Sequence, residues 1–383
     1  MLKNLKIENK LLKEMDSGLI VTMVLIIFYG ILNIYIATKG GASDYGSFYF
    51  VKKQVGAFVL SMIVFYIFIA IDYHTIMRYV PIVYWLSIVL LITVWIPGIG
   101  VRVNGARGWI NLRVMYFQPA ELAKFGIILM LAKIINEMEE EENINTIKNL
   151  GKLLFYAAIP MILIVIQPDM GMTMVCFFIV LGILYIAGLD RRIIIGGVVT
   201  LAVAIVIAWN TGIIQPYQKA RIISIFNPDE TDTTDAYQLN QSLIGIGSGG
   251  LSGIRVSLEE SVSPGYAGTH VPEVQTDFIF AAIAEQWGLI GSILLLVLYG
   301  ILIKKMINIA KKARDRFGSL ICVGMIAYFI FAIAQNIGMT IGLMPITGIT
   351  LPLVSYGGSS LLTTVMAVAL VVNIGMRKQR IFF

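Results

Sequence analysis

Charged residues are scarce. Asp, Glu, Lys and Arg make up 14% of the 383 residues, where a soluble protein carries about 25%. Only two cysteines occur, Cys176 and Cys322, each inside an apolar run, which excludes a disulfide scaffold and a thiolate metal centre. Two histidines, His74 and His270, are too few for a His-based metal site. H-E-x-x-H, G-x-x-x-x-G-K-[ST] and a G-x-S-x-G with a histidine partner are also missing. Metalloprotease chemistry, ATP-driven transport and serine hydrolysis are therefore without support.

Apolar residues are abundant: 58% are hydrophobic and the mean hydropathy is +0.83. Disorder and a coiled coil are excluded by the same figures. A helix needs about 20 apolar residues to cross a bilayer, and ten stretches qualify, at roughly 18–38, 55–72, 79–97, 119–137, 152–168, 170–188, 192–210, 276–303, 318–342 and 350–375. The expected architecture is an all-α polytopic membrane protein, residues 1–383 forming one integral membrane domain. Most Lys and Arg fall between the runs on one side. By the positive-inside rule both termini are cytoplasmic, and the net charge of +6 reflects topology, not nucleic-acid binding.

One long loop, residues 211–275 between the seventh and eighth spans, is then extracytoplasmic. Loops of that length are usually functional or disordered, and Tyr217, Phe226, Tyr237 and Tyr266 favour an ordered one. Its Gly245-Ile-Gly247-Ser-Gly249-Gly250 stretch matches a dinucleotide fingerprint in form only, since no βαβ unit surrounds it. A flexible turn, or close backbone approach to a ligand, is the expected use.

Charge gathers on the outer side. Asp277 opens the eighth span, either as an acid favoured by the helix dipole or as a base able to take a proton from a hydroxyl. Glu285, two turns on, is expected to be a buried structural acid with a partner. Arg102, Arg107 and Arg113 lie among Trp109, Tyr116 and Phe117, as an interfacial segment or as a site for an anionic headgroup. Glu121 and Lys124 share a helix face, and Asp169 lies at an outer helix junction. Lys219, Arg221 and Arg255 add basic groups from the long loop.

These residues sit in segments that resemble a known family. Asn104-Gly105-Ala106-Arg107 to Trp109, Phe117-Gln118-Pro119-Ala120-Glu121-Leu-Ala-Lys124, Gln167-Pro168-Asp169-Met-Gly171, Gln241-Ser242 to Leu251, Thr276-Asp277-Phe278-Ile279-Phe280, and Gly342-Leu343-Met344-Pro345 to Ser355-Tyr356-Gly357-Gly358-Ser359-Ser360 are similar, in order, to the SEDS proteins (shape, elongation, division and sporulation; the RodA/FtsW/SpoVE group). The Asn373-Ile374-Gly375-Met376-Arg377 ending looks most like the elongation branch, RodA. The chain departs from the pattern at Gly108, where the family commonly has arginine, and over Ser252–Thr269.

The resemblance implies a peptidoglycan glycosyltransferase that polymerises lipid II on the outer face of a bacterial cytoplasmic membrane, with a class B penicillin-binding protein as transpeptidase partner. It puts the catalytic carboxylate on Asp277. Lys124, Glu121, Asp169, Arg107, Lys219 and Arg221 would serve the pyrophosphate or headgroup, and Trp109, Ser355, Gly357 and Ser359 the cavity rim. Glu121 and Asp169 are candidates for a divalent cation, Mg or Mn; no cofactor is otherwise expected. The rival readings are a lipid II flippase and a non-catalytic scaffold of the elongation complex.

Overall fold

The computed structural model describes residues 8–39, 48–103, 106–112, 116–138, 143–212, 219, 223, 234–254 and 263–377. A short helix α1 (Asn9–Lys13) leads into α2 (Ser17–Thr38), α3 (Tyr49–Ala70) and α4 (Tyr73–Thr93). Three strands follow, β1 (Gly100–Val103), β2 (Ala106–Asn111) and β3 (Tyr116–Phe117), then α5 (Pro119–Asn136), α6 (Ile147–Ile166), α7 (Met170–Ile186) and α8 (Arg191–Asn210). After these come α9 (Thr234–Gly249), α10 (Tyr266–His270), α11 (Ile279–Lys311), α12 (Arg316–Thr340) and α13 (Gly358–Met376).

Every one of the ten expected stretches falls on a helix, and eight helices are long and apolar enough to cross a membrane. The other two are α7, short at 17 residues, and α5, which carries Glu121, Lys124 and Lys133. Side-chain caps set the starts. Asp16, Asp72, Asp169, Asp190 and Asp315 accept backbone N–H bonds at the heads of α2, α4, α7, α8 and α12, satisfying donors that have no intrahelical partner.

The core runs through α5, α12 and α13, whose residues are the most deeply buried. By contrast, no residue of α8 is buried; a helix apolar all round and exposed in this way suits a lipid solvent.

Three expectations need correction. Residues 100–117 form an antiparallel sheet of order β1-β2-β3, with Val101 opposite Trp109 and Ile110 opposite Phe117; the bundle is helical, with this sheet added at one end. The last span begins at Gly358 and not at 350, because the preceding stretch holds Pro352 and turns at Leu353 with φ 68°. Finally, Gly245, Gly247 and Gly249 lie within helix α9, and only Gly250, with φ 52°, lies in a turn. A Cβ on Gly249 would stand 2.1 Å from the Ala284 carbonyl. Glycine is needed there to let α9 dock against α11, as small residues do between membrane helices.

Helix α11 is broken at Gly288, which has φ 64°. The chain leaving α9 fills the break: Leu289 N–H donates to Gly250 O at 3.0 Å, Ile290 N–H to Leu251 O at 3.2 Å, and Ile254 N–H to Glu285 O at 3.0 Å. These bonds satisfy backbone groups freed by the break, as a buried membrane segment requires. Within the 211–275 loop, residues 250–254 are thereby packed against α11, and Tyr266 and Ala267 bond Glu285 of the same helix; Tyr217 and Phe226 lie outside the described residues.

At the opposite end of the bundle, His74 links two helix junctions. Its Nδ1 lies 2.9 Å from Asp72 and its Nε2 2.8 Å from Asp315. Arg377, after α13, reaches the other Asp72 oxygen at 3.3 Å.

Candidate functional site

Asp277 lies in the turn before α11. Phe278 takes the N-cap position and makes no side-chain cap, so Asp277 is not the helix cap. Its Oδ1 accepts from the Thr276 hydroxyl at 2.7 Å, and its carbonyl accepts from Asn336 Nδ2 at 2.7 Å. The carboxyl is half-buried. A Cβ on Gly348 would lie 3.7 Å from Oδ2, so a glycine flank keeps that side clear of a side chain.

The same 341–357 segment meets the first turn of α7, which Asp169 caps. Asp169 caps α7 through Oδ1, accepting from Met172 N at 2.9 Å, while Oδ2 accepts from Gln118 Nε2 at 2.9 Å. Two residues on, Gly171 packs so closely that a Cβ would stand 2.7 Å from Thr347 O. Thr347 and Gly348 therefore separate the neighbourhoods of Asp169 and Asp277.

Glu121 and Lys124 lie one turn into α5, which opens with Pro119 at its first position, a placement proline favours. Their side chains pair at 2.6 Å and are almost wholly buried, at 4% and 1% exposure. The Thr363 hydroxyl of α13 donates to the same Glu121 oxygen. The Lys124 ammonium sits 3.6 Å above the Tyr328 ring of α12, a cation–π contact strengthened by desolvation. Three helices thus enclose the pair, and Lys124 does not stand at a surface where a pyrophosphate would touch it directly.

The rim candidates act as pins. Ser355 Oγ accepts from Leu351 N at 2.8 Å, and Gln54 of α3 clasps the segment, donating to Ser355 O at 3.0 Å and accepting from Gly357 N at 3.2 Å. Ser359 Oγ accepts from Gln118 N at 3.3 Å. Tyr356 N–H donates to Gln275 O at 2.8 Å, two residues before Asp277. One strand of chain, 355–363, therefore ties α3, the Asp277 turn and the head of α5 together. Trp109 lies half-buried in β2.

Other candidates fall elsewhere. Arg107 and Trp109 alternate with the buried Gly108 and Ile110 along β2, so they occupy the opposite face of the strand. Gly108 faces Gln167, whose Oε1 would be 3.7 Å from a Cβ there. Arg107 therefore cannot replace a side chain at position 108, and it forms no ion pair among the described residues. Lys219 bonds Trp209 O at 2.7 Å and lies over that ring. It satisfies a carbonyl at the end of α8, as lysines near helix C-termini do, and is not brought to the carboxylates. Arg221, Arg113 and Arg255 lie outside the described residues, as does the side chain of Arg102.

Glu285 has the partners expected of it. It accepts from Tyr266 N at 2.5 Å, Ala267 N at 2.8 Å and Ser248 Oγ at 3.4 Å. Among the described residues no three His, Cys, Asp or Glu side chains come together as a metal cluster. Glu121 is engaged by Lys124 and Thr363, and Asp169 by an amide and a backbone donor.

Sequence reasoning missed Gln54, Asn336, Tyr328 and Thr363. Gln54 and Asn336 did carry a signal, as amides inside apolar runs. Asn336 Nδ2 donates to both Asp277 O and Ile349 O, each at 2.7 Å.

The fold and site define a membrane-embedded bundle with a carboxylate at the head of one helix and a buried ion pair behind it. The chain belongs to the FtsW/RodA/SpoVE cell cycle protein family, whose model matches residues 16–380. It is 34% identical over 368 residues to stage V sporulation protein E of Bacillus subtilis, covering 94% of this chain and 96% of that protein. It is 31% identical over 367 residues to the peptidoglycan glycosyltransferase MrdB of Escherichia coli, covering 94% and 93%. Among solved structures it is similar to the rod shape determining protein RodA of Thermus thermophilus, with TM-score 0.70 and 26% identity over 96% of this chain and 98% of that one. It is also similar, with TM-score 0.79 and 28% identity over 94% and 97%, to a chain in "Structural coordination of polymerization and crosslinking by a peptidoglycan synthase complex". With its apolar helices and this family, it is a multi-pass protein of a bacterial cytoplasmic membrane.

Proposed function

We propose that this chain polymerises lipid II into β-1,4 glycan strands at the outer face of the cytoplasmic membrane, releasing undecaprenyl pyrophosphate, with Asp277 as general base. The observation that carries this is Asp277 itself: a half-buried residue whose carboxyl accepts from the Thr276 hydroxyl, whose backbone carbonyl is held by Asn336, and whose second carboxyl oxygen is flanked by Gly348. The name of the MrdB relative, peptidoglycan glycosyltransferase, supports the same reading.

In this mechanism Asp277 takes the proton from the 4-hydroxyl of the acceptor N-acetylglucosamine. The freed oxygen attacks C1 of the donor N-acetylmuramic acid from the face opposite the pyrophosphate. One displacement inverts the α-linked donor to a β-linked product, so a single base suffices. Pyrophosphate is a good leaving group and needs little acid assistance. The sugars react at the membrane surface while the polyprenyl tails stay in lipid.

Glu121 and Lys124 act together as a buried neutral pair. Lys124 stabilises the developing pyrophosphate charge from its buried position beside Glu121. Asp169 orients Gln118 at the head of α5, and Arg107 serves headgroup contacts from the sheet. Were a divalent cation such as Mg or Mn required, Glu121 and Asp169 are the residues that would hold it, and it would supply positive charge toward the leaving pyrophosphate.

Ten membrane crossings with both termini cytoplasmic complete the proposal, and put residues 211–275 and Asp277 outside. The partner is a class B penicillin-binding protein, supported by the synthase complex to which this chain is similar. The biological setting is elongation and cell shape.

A flippase would share the lipid substrate and the intramembrane pair. The test is glycan-chain formation from labelled lipid II by the purified protein, with and without a cognate transpeptidase, alongside lipid II crossing in vesicles. Polymer without crossing supports the polymerase. Crossing without polymer would establish the flippase.

A further inference from the structure

The residue before Asp277 places a hydroxyl between two acceptors. Thr276 Oγ1 lies 2.7 Å from Asp277 Oδ1 and also 2.7 Å from the Glu273 carbonyl oxygen. A carboxylate and a carbonyl have no proton to give, and a hydroxyl has one. Thr276 therefore donates to one of them at a time, and two orientations of a single O–H bond compete.

The turn supplies the second acceptor at some cost. Glu273 has φ 52°, a left-handed backbone that a residue with a side chain adopts only against strain. In this turn its carbonyl takes the Thr276 N–H at 3.0 Å as well as facing the hydroxyl. Two further bonds pin the turn without the hydroxyl: Tyr356 N–H donates to Gln275 O, and Asn336 Nδ2 to Asp277 O.

Threonine hydroxyls commonly tighten turns by bonding a nearby carbonyl. Here the Thr276 N–H already bonds that same carbonyl, so what the hydroxyl adds is its reach to the carboxyl. The two acceptors differ in charge, and a hydrogen bond to an ionised group is about twice as strong as a neutral one. The charged carboxylate thus wins the hydroxyl. Once protonated it loses that advantage, and the Glu273 carbonyl competes on equal terms.

We propose that Thr276 is a positioning residue, whose hydroxyl holds the Asp277 carboxylate in one orientation while it is charged and swings to Glu273 O once it is protonated. In the reaction the O–H bond of the acceptor sugar breaks and an O–H bond forms on the Asp277 carboxyl. Water then takes that proton, and the hydroxyl swings back. The role in turnover rests on the general-base reading of Asp277; the preference of the hydroxyl for the charged carboxyl does not.

The experiment compares full-length wild type with Thr276→Val and Thr276→Ser. Valine keeps the branched shape and removes the hydroxyl, and serine restores it. Thermal unfolding checks that each variant is folded, and Thr276→Ala replaces the valine variant if that one is not. In glycan-chain formation from labelled lipid II, we expect kcat about tenfold lower in Thr276→Val, KM little changed, and recovery in Thr276→Ser. The second readout is the titration of the Asp277 carboxyl, followed by its infrared band and identified by loss of that band in Asp277→Asn. It should move to higher pH in Thr276→Val, because a donor favouring the charged form has gone. The other ionisable groups described around the turn stay in place. They are His270 and Glu273 on the chain leading to it, Tyr356 on the connection before α13, and Asp169 beyond Thr347; α12 contributes the neutral Asn336. A lower kcat with an unmoved titration would show that the hydroxyl serves the turn alone. An unchanged kcat in a folded variant would remove it from the mechanism, and either result overturns the proposal. Absence of polymer from the wild type would count against the general-base reading and the role in turnover with it, while the titration would still decide whether the hydroxyl holds the carboxylate.

Discussion

Asn336 grips Asp277 by its backbone and not by its carboxyl. One amide nitrogen donates to the Asp277 carbonyl and to the Ile349 carbonyl, both at 2.7 Å, fixing the turn before α11 against the segment that flanks the carboxylate. The neighbouring Gln335 adds a bond to Pro345 O at 2.8 Å. Asn336 is fully buried, and its Oδ1 has no partner among the described residues.

Removing that grip should loosen the base without removing it. For Asn336→Ala we expect stability to fall by about 1–3 kcal/mol, as when buried polar groups lose their partner, and turnover to fall at least tenfold while lipid II binding changes less. Kinetics of polymer formation and thermal unfolding in detergent check this. Unaltered kcat in a folded variant would remove Asn336 as a positioning residue.

The Glu121–Lys124 pair makes a different prediction. Breaking one member leaves a buried charge, which costs about 3–5 kcal/mol, whereas replacing both with apolar residues of similar volume is often neutral. Glu121→Leu or Lys124→Met alone should lower the unfolding temperature clearly. The double variant should recover much of that stability and still polymerise poorly, because Lys124 is gone. Full activity in the stable double variant would show that the pair serves folding only.

Close packing at Gly249 gives a third expectation. Since a Cβ there would meet the Ala284 carbonyl at 2.1 Å, Gly249→Ala must push α9 away from α11 at a cost of about 1–3 kcal/mol. Gly247 has open space around it, so Gly247→Ala should be tolerated. Proteolysis of the two variants in detergent distinguishes them; equal protection would contradict the docking.

Acid should weaken the end of the bundle opposite the site. Burial pushes the Asp72 carboxyl up, but the His74 backbone N–H, the His74 ring and Arg377 outweigh it, leaving a lowered pKa. Asp16 is also lowered, burial being outweighed chiefly by its bond to Lys305 at 2.9 Å. A lowered folded-state pKa contributes stability above the unfolded value, about 3.9 for aspartate, and loses it as pH falls through the folded value. Partial exposure keeps each effect to about 1 kcal/mol or less. Wild type should therefore exceed Asp72→Asn in unfolding temperature at pH 7, and the gap should close below about pH 4. A gap unchanged by pH would refute the assignment.

The apolar runs were legible because membrane helices advertise themselves by composition, and Asp277, Asp169, Glu121 and Lys124 stood out as charges within or beside them. The sheet at 100–117 was not legible: its strands are short, and Arg107 and Gly108 interrupt any apolar alternation. The Gly245–Gly250 stretch looked like a turn because glycine signals both turns and tight helix contacts, and only the position of Ala284 decides between them. Thr363 and Tyr328 were hidden because a hydroxyl in an apolar run reveals neither its depth nor its partner, whereas the Asn336 amide was visible but its grip on the Asp277 carbonyl was not. Lys219 illustrates the converse. Its charge drew attention, yet it spends that charge on the end of α8.

The most direct measurement compares wild type with Asp277→Asn for glycan-chain formation from labelled lipid II. Both proteins should be monodisperse and equally able to bind the transpeptidase. Loss of a general base slows a reaction about 100- to 10,000-fold, so we expect polymer from the wild type and little or none from the variant over the same interval. Equal polymer from both would contradict Asp277 as the base and, with it, the mechanism proposed for this site.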